Sequence, residues 1–136
     1  VVTTRGNPYA HVVLRGGSQG PNFDRAHVAQ CEQALAQGGV SQNIMIDCSH
    51  ANSSKNPDQQ PAVLKDMTQQ VLDGNRSIIG AMLESNIHHG NQSIPADLGE
   101  LKYGVSITDA CMDWEKTEAA LIGMADSLRP VLSERA

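Results

Sequence analysis

Three short apolar runs recur along the chain, each closed by an ionisable residue, and between them apolar positions fall at helical spacing. His11-Val12-Val13-Leu14-Arg15-Gly16-Gly17 alternates so that His11, Val13 and Arg15 share one face, which predicts a strand with Arg15 at its carboxyl end. Ile44-Met45-Ile46-Asp47-Cys48 predicts a second strand buried on both faces, as in a parallel sheet covered by helices. It stops abruptly in Ser49-His50-Ala51-Asn52-Ser53-Ser54-Lys55, which cannot continue into a core. Ser77 to Glu84 predicts a third buried strand, with Glu84 at its carboxyl end.

The intervening segments read as helices. Asp24 to Gln37 carries Val28, Cys31 and Leu35 at helical spacing and ends at Gly38-Gly39. Asn56-Pro57 supplies an N-cap and a proline for the first turn of a second helix, whose stripe is Val63, Leu64, Met67 and Val71 and whose stop is Gly74. A polar connection over about 85–107 holds His88, His89 and Pro95 and is long enough for a binding loop or an interface segment. A last helix is expected at about 113–132, with Trp114, Leu121, Met124, Leu128 and Leu132 on or near the face that covers the sheet. The chain thus reads as α/β, one domain over 1–136 made of three consecutive βα units, with parallel strands and right-handed crossovers.

Composition narrows the partners. Hydrophobic residues make up 40% of the 136 and aromatics only 3%, so the core is aliphatic and no aromatic platform for stacking a cofactor is present. A net charge of −5 argues against nucleic acid, which calls for a basic face. The cysteines, Cys31, Cys48 and Cys111, are odd in number and lack C-x-x-C spacing, which favours a reducing compartment. No apolar run approaches the roughly 18 residues of a membrane span, so a soluble, cytoplasmic protein is expected.

Ligands of parallel α/β folds gather at the carboxyl ends of the strands. Arg15, His50 and Glu84 close the three strands and Asp109 ends the long loop, so convergence of all four on one side of the sheet is expected. His, Glu and Asp form a mixed nitrogen and oxygen set suited to Mn, Fe, Co or Zn. Plainer roles stay open: an ion pair for Glu84 or Arg15, helix N-terminal punctuation for Asp109, packing or a further ligand for Cys48, and core packing for Cys31. His88 and His89 are neighbours in a loop and seldom would both face one ion. Lys55 and Lys102 are either solvated or available to an anionic substrate.

Four stretches carry a family resemblance: His11 to Gly17, Met45 to Lys55, Glu84-Ser85 with Gly90-Asn91-Gln92-Ser93, and Tyr103-Gly104-Val105-Ser106-Ile107-Thr108-Asp109-Ala110-Cys111. In order and along nearly the whole chain, they resemble the type I 3-deoxy-D-arabino-heptulosonate 7-phosphate (DAHP) synthases. The resemblance implies a (β/α)₈ barrel, an essential divalent metal, and condensation of phosphoenolpyruvate with erythrose 4-phosphate in the first step of the shikimate pathway. It implies His50, Glu84 and Asp109 as metal ligands, with His50 in the catalytic centre, and Arg15 as a holder of the phosphoenolpyruvate phosphate. Cys48 departs from the pattern, which leads one to expect an aromatic residue there.

A whole barrel takes about 250 residues, so three βα units correspond to its C-terminal part. The family's Cys ligand and its Lys-Pro-Arg-Ser/Thr phosphate segment have no counterpart here. The expectations are therefore that the chain is inactive by itself, that the full-length enzyme is a homo-oligomer, and that a partial barrel with open sheet edges self-associates. The alternative from a different class is a non-enzymatic metal- or phosphate-binding α/β module.

Overall fold

Strands β1 (Val12–Leu14), β2 (Ile44–Asp47) and β3 (Ile78–Met82) form a parallel sheet in the order β1-β2-β3, in a computed structural model that describes residues 1–133. Val12 pairs with Ile44 and Leu14 with Ile46. The β2–β3 register shifts after Ile44, which pairs with Ile78 while Met45 pairs with Gly80, so Ile79 is the extra residue of a bulge. Helix α1 (Arg25–Gln37) connects β1 to β2, α2 (Gln60–Leu72) connects β2 to β3, and α3 (Trp114–Leu132) follows the long loop.

Helices α1 and α3 each start where a short polar side chain satisfies otherwise orphaned amides. Asp24 accepts from Ala26 N at 2.9 Å and His27 N at 3.1 Å, and Asp113 accepts from Lys116 N at 2.8 Å. Asn56 accepts from Asp58 N at 3.0 Å and opens a short 3₁₀ turn, Pro57–Gln59, that leads into α2.

The core lies on one face of the sheet. Ile44, Ile46 and Ile78 are buried there against Val28 of α1, the Val63, Leu64, Met67 and Val71 stripe of α2, and Leu128 of α3. Burying each such side chain stabilises the fold by about 1.5–3 kcal/mol. Among the described residues, no helix is long and apolar enough to cross a membrane, and Cys31, Cys48 and Cys111 are free thiols.

Two expectations need correction. The sheet is not covered on both faces: Val13 is 43% and Ile79 54% exposed, because the helices of the described residues all pack on the Ile44 side. The inner face of α3 is also rotated from the one expected. Trp114, Leu121 and Leu132 are exposed or nearly so, whereas Thr117, Ala120, Met124, Leu128 and Val131 face inward, and the helix packs chiefly on α2 rather than on the sheet. Thr117 tolerates burial because its hydroxyl donates to Asp113 O at 2.8 Å and lies 2.6 Å from Ser85 Oγ.

The long connection is ordered by its own ladder. Gly90 bridges Cys111, Asn91 bridges Ser106 and Ser85 bridges Met112. The Gln92 side chain clamps the turn, donating to Lys102 O at 2.8 Å and Val105 O at 3.0 Å and accepting from Lys102 N at 2.9 Å.

Candidate functional site

The carboxyl ends of the strands bring His50, Glu84 and Asp109 together. One ligand-capable atom from each lies within 4.8 Å of the others. His50 opens a 3₁₀ turn directly after β2 with a positive φ of 47°, a conformation that costs a side-chain-bearing residue and persists only where its surroundings hold it. Here the holder is Asp47, the last residue of β2. Its Oδ2 lies 2.7 Å from His50 Nδ1 and its Oδ1 accepts from Ser49 N at 2.8 Å. A carboxylate only accepts, so Nδ1 turns its N–H to Asp47, and Nε2 faces the site, 3.5 Å from Glu84 Oε1.

Glu84 follows β3 and is held from both sides. The fully buried Gln60 side chain accepts from Glu84 N at 2.8 Å and donates to Glu84 O at 3.1 Å. Ser49 Oγ donates to Glu84 Oε2 at 2.6 Å, which leaves Oε1 to face His50. Asp109 arrives on the long loop, where Asn91 Nδ2 donates to Thr108 O at 2.9 Å and the Gly90–Cys111 bridge closes the far side. It does not cap α3, a task that falls to Asp113.

Two carboxylates and an imidazole held this close fit a divalent cation. The like charges would otherwise repel, and the donors match a borderline metal.

Arg15 stands beside this cluster rather than in it. It is exposed at the end of β1 and lines an open cleft of about 630 Å³ with Gly16, Gly17, His50, Ser54 and Lys55. The Asn52 side chain ties the two loops together, donating to Leu14 O at 3.0 Å and Asp47 O at 2.8 Å while accepting from Asn22 N at 2.8 Å. Gly16, at φ +73°, sits so close that a Cβ there would lie 2.7 Å from Ala51 Cβ, so the close approach of the loops requires glycine.

Cys48 is not part of the cluster. It is fully buried in the core, and burial, aided by the Asp47 charge, pushes its thiol pKa up to about 12. His89 points elsewhere, 3.4 Å from Asp58, His88 does not join the cluster, and Lys102 is not among the residues that line the Arg15 cleft.

The model of the DAHP synthetase I family matches residues 1–121. The chain belongs to that family. Among curated members it is 54% identical over 121 residues to the Tyr-sensitive phospho-2-dehydro-3-deoxyheptonate aldolase of Salmonella typhimurium, covering 89% of this chain and 34% of that protein. It is 51% identical over 135 residues to the Tyr-sensitive enzyme of Escherichia coli, covering 99% of this chain and 38% of that one. A solved phospho-2-dehydro-3-deoxyheptonate aldolase from Francisella tularensis superposes with a TM-score of 0.86 at 42% identity, over 93% of this chain and 36% of that structure. The chain thus spans about a third of the length of each of these three relatives.

Asp47 and Gln60 escape a reading of strand ends alone, whereas Ser49 and Asn52 lie in the Ser49 to Lys55 loop, which the family resemblance implies supports the site. For Asp47 a signal exists in the sequence, since a carboxylate inside an apolar strand three residues before a His needs a partner. Gln60 offers none, because its role depends on where β3 ends.

Proposed function

We propose that the chain is part of a DAHP synthase, in which His50, Glu84 and Asp109 hold a divalent metal and Arg15 binds the phosphate of phosphoenolpyruvate. The observation that carries this is the meeting of three donors from three separate segments within 4.8 Å, in a chain of this family. The reaction joins C3 of phosphoenolpyruvate to the aldehyde carbon of erythrose 4-phosphate; water adds at C2 and phosphate leaves, giving DAHP. A bound Mn, Fe, Co or Zn supplies Lewis acidity toward the aldehyde oxygen.

The chain's own groups do the positioning. Asp47 keeps the proton on His50 Nδ1, so that Nε2 stays a ligand. Gln60 and Ser49 hold the peptide and the carboxylate of Glu84. The planar fork of Arg15 suits bidentate contact with a phosphate, and its place in the same cleft as His50 sets the two reactants side by side.

The three βα units are read as the C-terminal part of a (β/α)₈ barrel. This is supported by the parallel order, the helices on one face, and an opposite face that leaves Val13 open as an inward barrel side chain would be. On this reading the chain is inactive alone, the whole enzyme is a cytoplasmic homo-oligomer, and the free thiols fit a reducing compartment.

Calorimetric titration with Mn²⁺ tests the centre. Saturable binding by the chain and its loss in His50→Ala are expected, and unchanged affinity in the variant removes His50 from the ligand set. Release of phosphate from the two substrates by the purified 136-residue chain would overturn its inactivity. The rival reading, a non-enzymatic metal- or phosphate-binding module, predicts that Mn²⁺ or phosphate binds and that joining the chain to the rest of a family barrel never yields turnover.

A further inference from the structure

Lys55 reaches the site from a backbone that lysine seldom adopts. Ser54 and Lys55 have φ of 53° and 60°, two successive side-chain-bearing residues in the left-handed region, where a simple reversal would use Gly or Asn. The turn is held shut by Lys55 N donating to His50 O at 2.7 Å and Ser54 N donating to Ala51 O at 3.2 Å. Strain of this kind survives where the surroundings dictate it, and it gathers at binding sites. Here it delivers the ammonium to two places at once. Lys55 Nζ lies 3.9 Å from Asp109 Oδ1, and the same side chain lines the open cleft with Arg15, Gly16 and Gly17.

A 3.9 Å ion pair with a largely exposed lysine is not a lock. The ammonium can lean toward Asp109 or toward the cleft, where Arg15 already supplies one positive charge. We propose that Lys55 is the second cation of a phosphate-binding cleft, shared between Asp109 and the phosphomonoester of the substrate. This rests on the reading of Asp109 as a metal ligand and of Arg15 as a phosphate holder. The geometry has a signed consequence. A cation beside Asp109 opposes a divalent ion there, whereas the same cation in the cleft attracts an anion, so removing it moves the two affinities in opposite directions.

Calorimetric titration of the chain with Mn²⁺ and, separately, with inorganic phosphate tests this in Lys55→Gln, Lys55→Arg and Arg15→Gln. Lys55→Gln is expected to weaken phosphate and to tighten Mn²⁺ by about two- to fivefold each, the scale of one exposed charge interaction. Lys55→Arg keeps both near wild type. Loss of both affinities in Lys55→Gln means a merely structural role, and no change in either means a solvated lysine; each result overturns the proposal. If Arg15→Gln leaves phosphate binding intact, or the wild-type chain binds none, the anion cleft itself falls. If Arg15→Gln weakens phosphate while Lys55→Gln does not, only the role of Lys55 falls. Titrations with phosphoenolpyruvate and with erythrose 4-phosphate separate the sources, and Lys55 serves the one whose affinity drops.

Discussion

Asp47 Oδ2 lies 2.7 Å from His50 Nδ1, which makes a buried carboxylate the keeper of the imidazole tautomer. In Asp47→Asn a single amide oxygen replaces two acceptors. Kept on Ser49 N, it turns the NH2 toward His50 Nδ1 and drives the proton onto Nε2, which then cannot ligate. Kept on Nδ1–H, it sets the NH2 against Ser49 N–H and loosens the turn that carries His50. Outer-shell changes of this type cost about 10–100-fold in metal affinity. Asp47→Asn is therefore expected to lose about that factor in Mn²⁺ affinity while its circular dichroism stays that of the parent. Wild-type affinity in the variant would remove Asp47 from this role.

Glu84 depends on Gln60 in a different way. The Gln60 side chain pairs with both peptide groups of Glu84, through bonds of 2.8 and 3.1 Å, and is wholly buried. In Gln60→Leu the Glu84 N–H loses its partner, whereas Glu84 O keeps the bond from Met112 N at 3.0 Å, so the cost is that of the one part-buried amide, about 1–3 kcal/mol. Urea unfolding should show a lower midpoint of that size, and Mn²⁺ binding should weaken because the carboxylate is no longer fixed. A stability within about 0.5 kcal/mol of the parent would mean that the end of β3 is held by something else.

These two residues mark the limit of what the sequence displays. Strand ends were legible because apolar runs stop sharply at Arg15, His50 and Glu84, and the family's Ser-Ile-Thr-Asp-Ala-Cys stretch singled out Asp109. Asp47 passed as one residue of the Ile44 to Cys48 strand, although its burial is what obliges it to find a partner. Gln60 looked like an ordinary helix residue, because nothing local says that a strand end will arrive against it.

The face of α3 was misjudged for a related reason. Trp114, Leu121 and Leu132 outrank Thr117 in hydrophobicity, yet Thr117 is buried because Asp113 and Ser85 satisfy its hydroxyl. The second face of the sheet was read as covered because Met45 and Ile79 are apolar. Apolar side chains state a need for cover without saying which part of a protein provides it.

The surface pair of Asp58 and Lys116 ties the start of α2 to α3 and sets a pH window. The hydrogen bond from Lys116 holds the Asp58 carboxyl below the usual carboxylate range, and the same bond raises the Lys116 ammonium. A lowered carboxylate contributes stability above its unfolded pKa of about 3.9 and loses it as pH falls through the lower folded value. A raised ammonium contributes below about 10.4 and loses it as pH rises through the higher folded value. Lys116→Met should therefore lower the urea midpoint between those limits. Its deficit should vanish once acid protonates Asp58, and shrink in about 1 M salt, where an exposed pair is screened. A deficit that persists in acid would point to lost packing of the lysine stem instead.

Cys48 tests where the proposed metal centre ends. It stands two residues before His50 and is fully buried; burial and then the Asp47 charge push its thiol up to about 12, so almost no thiolate exists near neutral pH. Only thiolate attacks an alkylating reagent or binds a metal. Iodoacetamide at about pH 8, half a unit below the ordinary thiol value, should leave Cys48 unmodified in the folded chain and label it in urea, as read by peptide mass spectrometry. Its sulfur approaches Ile46 O at 4.0 Å and otherwise lies in the apolar core, so it serves as a small apolar filler there. Cys48→Ala should accordingly lower the urea midpoint through the small cavity it leaves, with Mn²⁺ affinity unchanged. A tenfold fall in that affinity with the midpoint intact would instead make the thiol a ligand, which its placement among Ile44, Ile46 and the α2 stripe argues against.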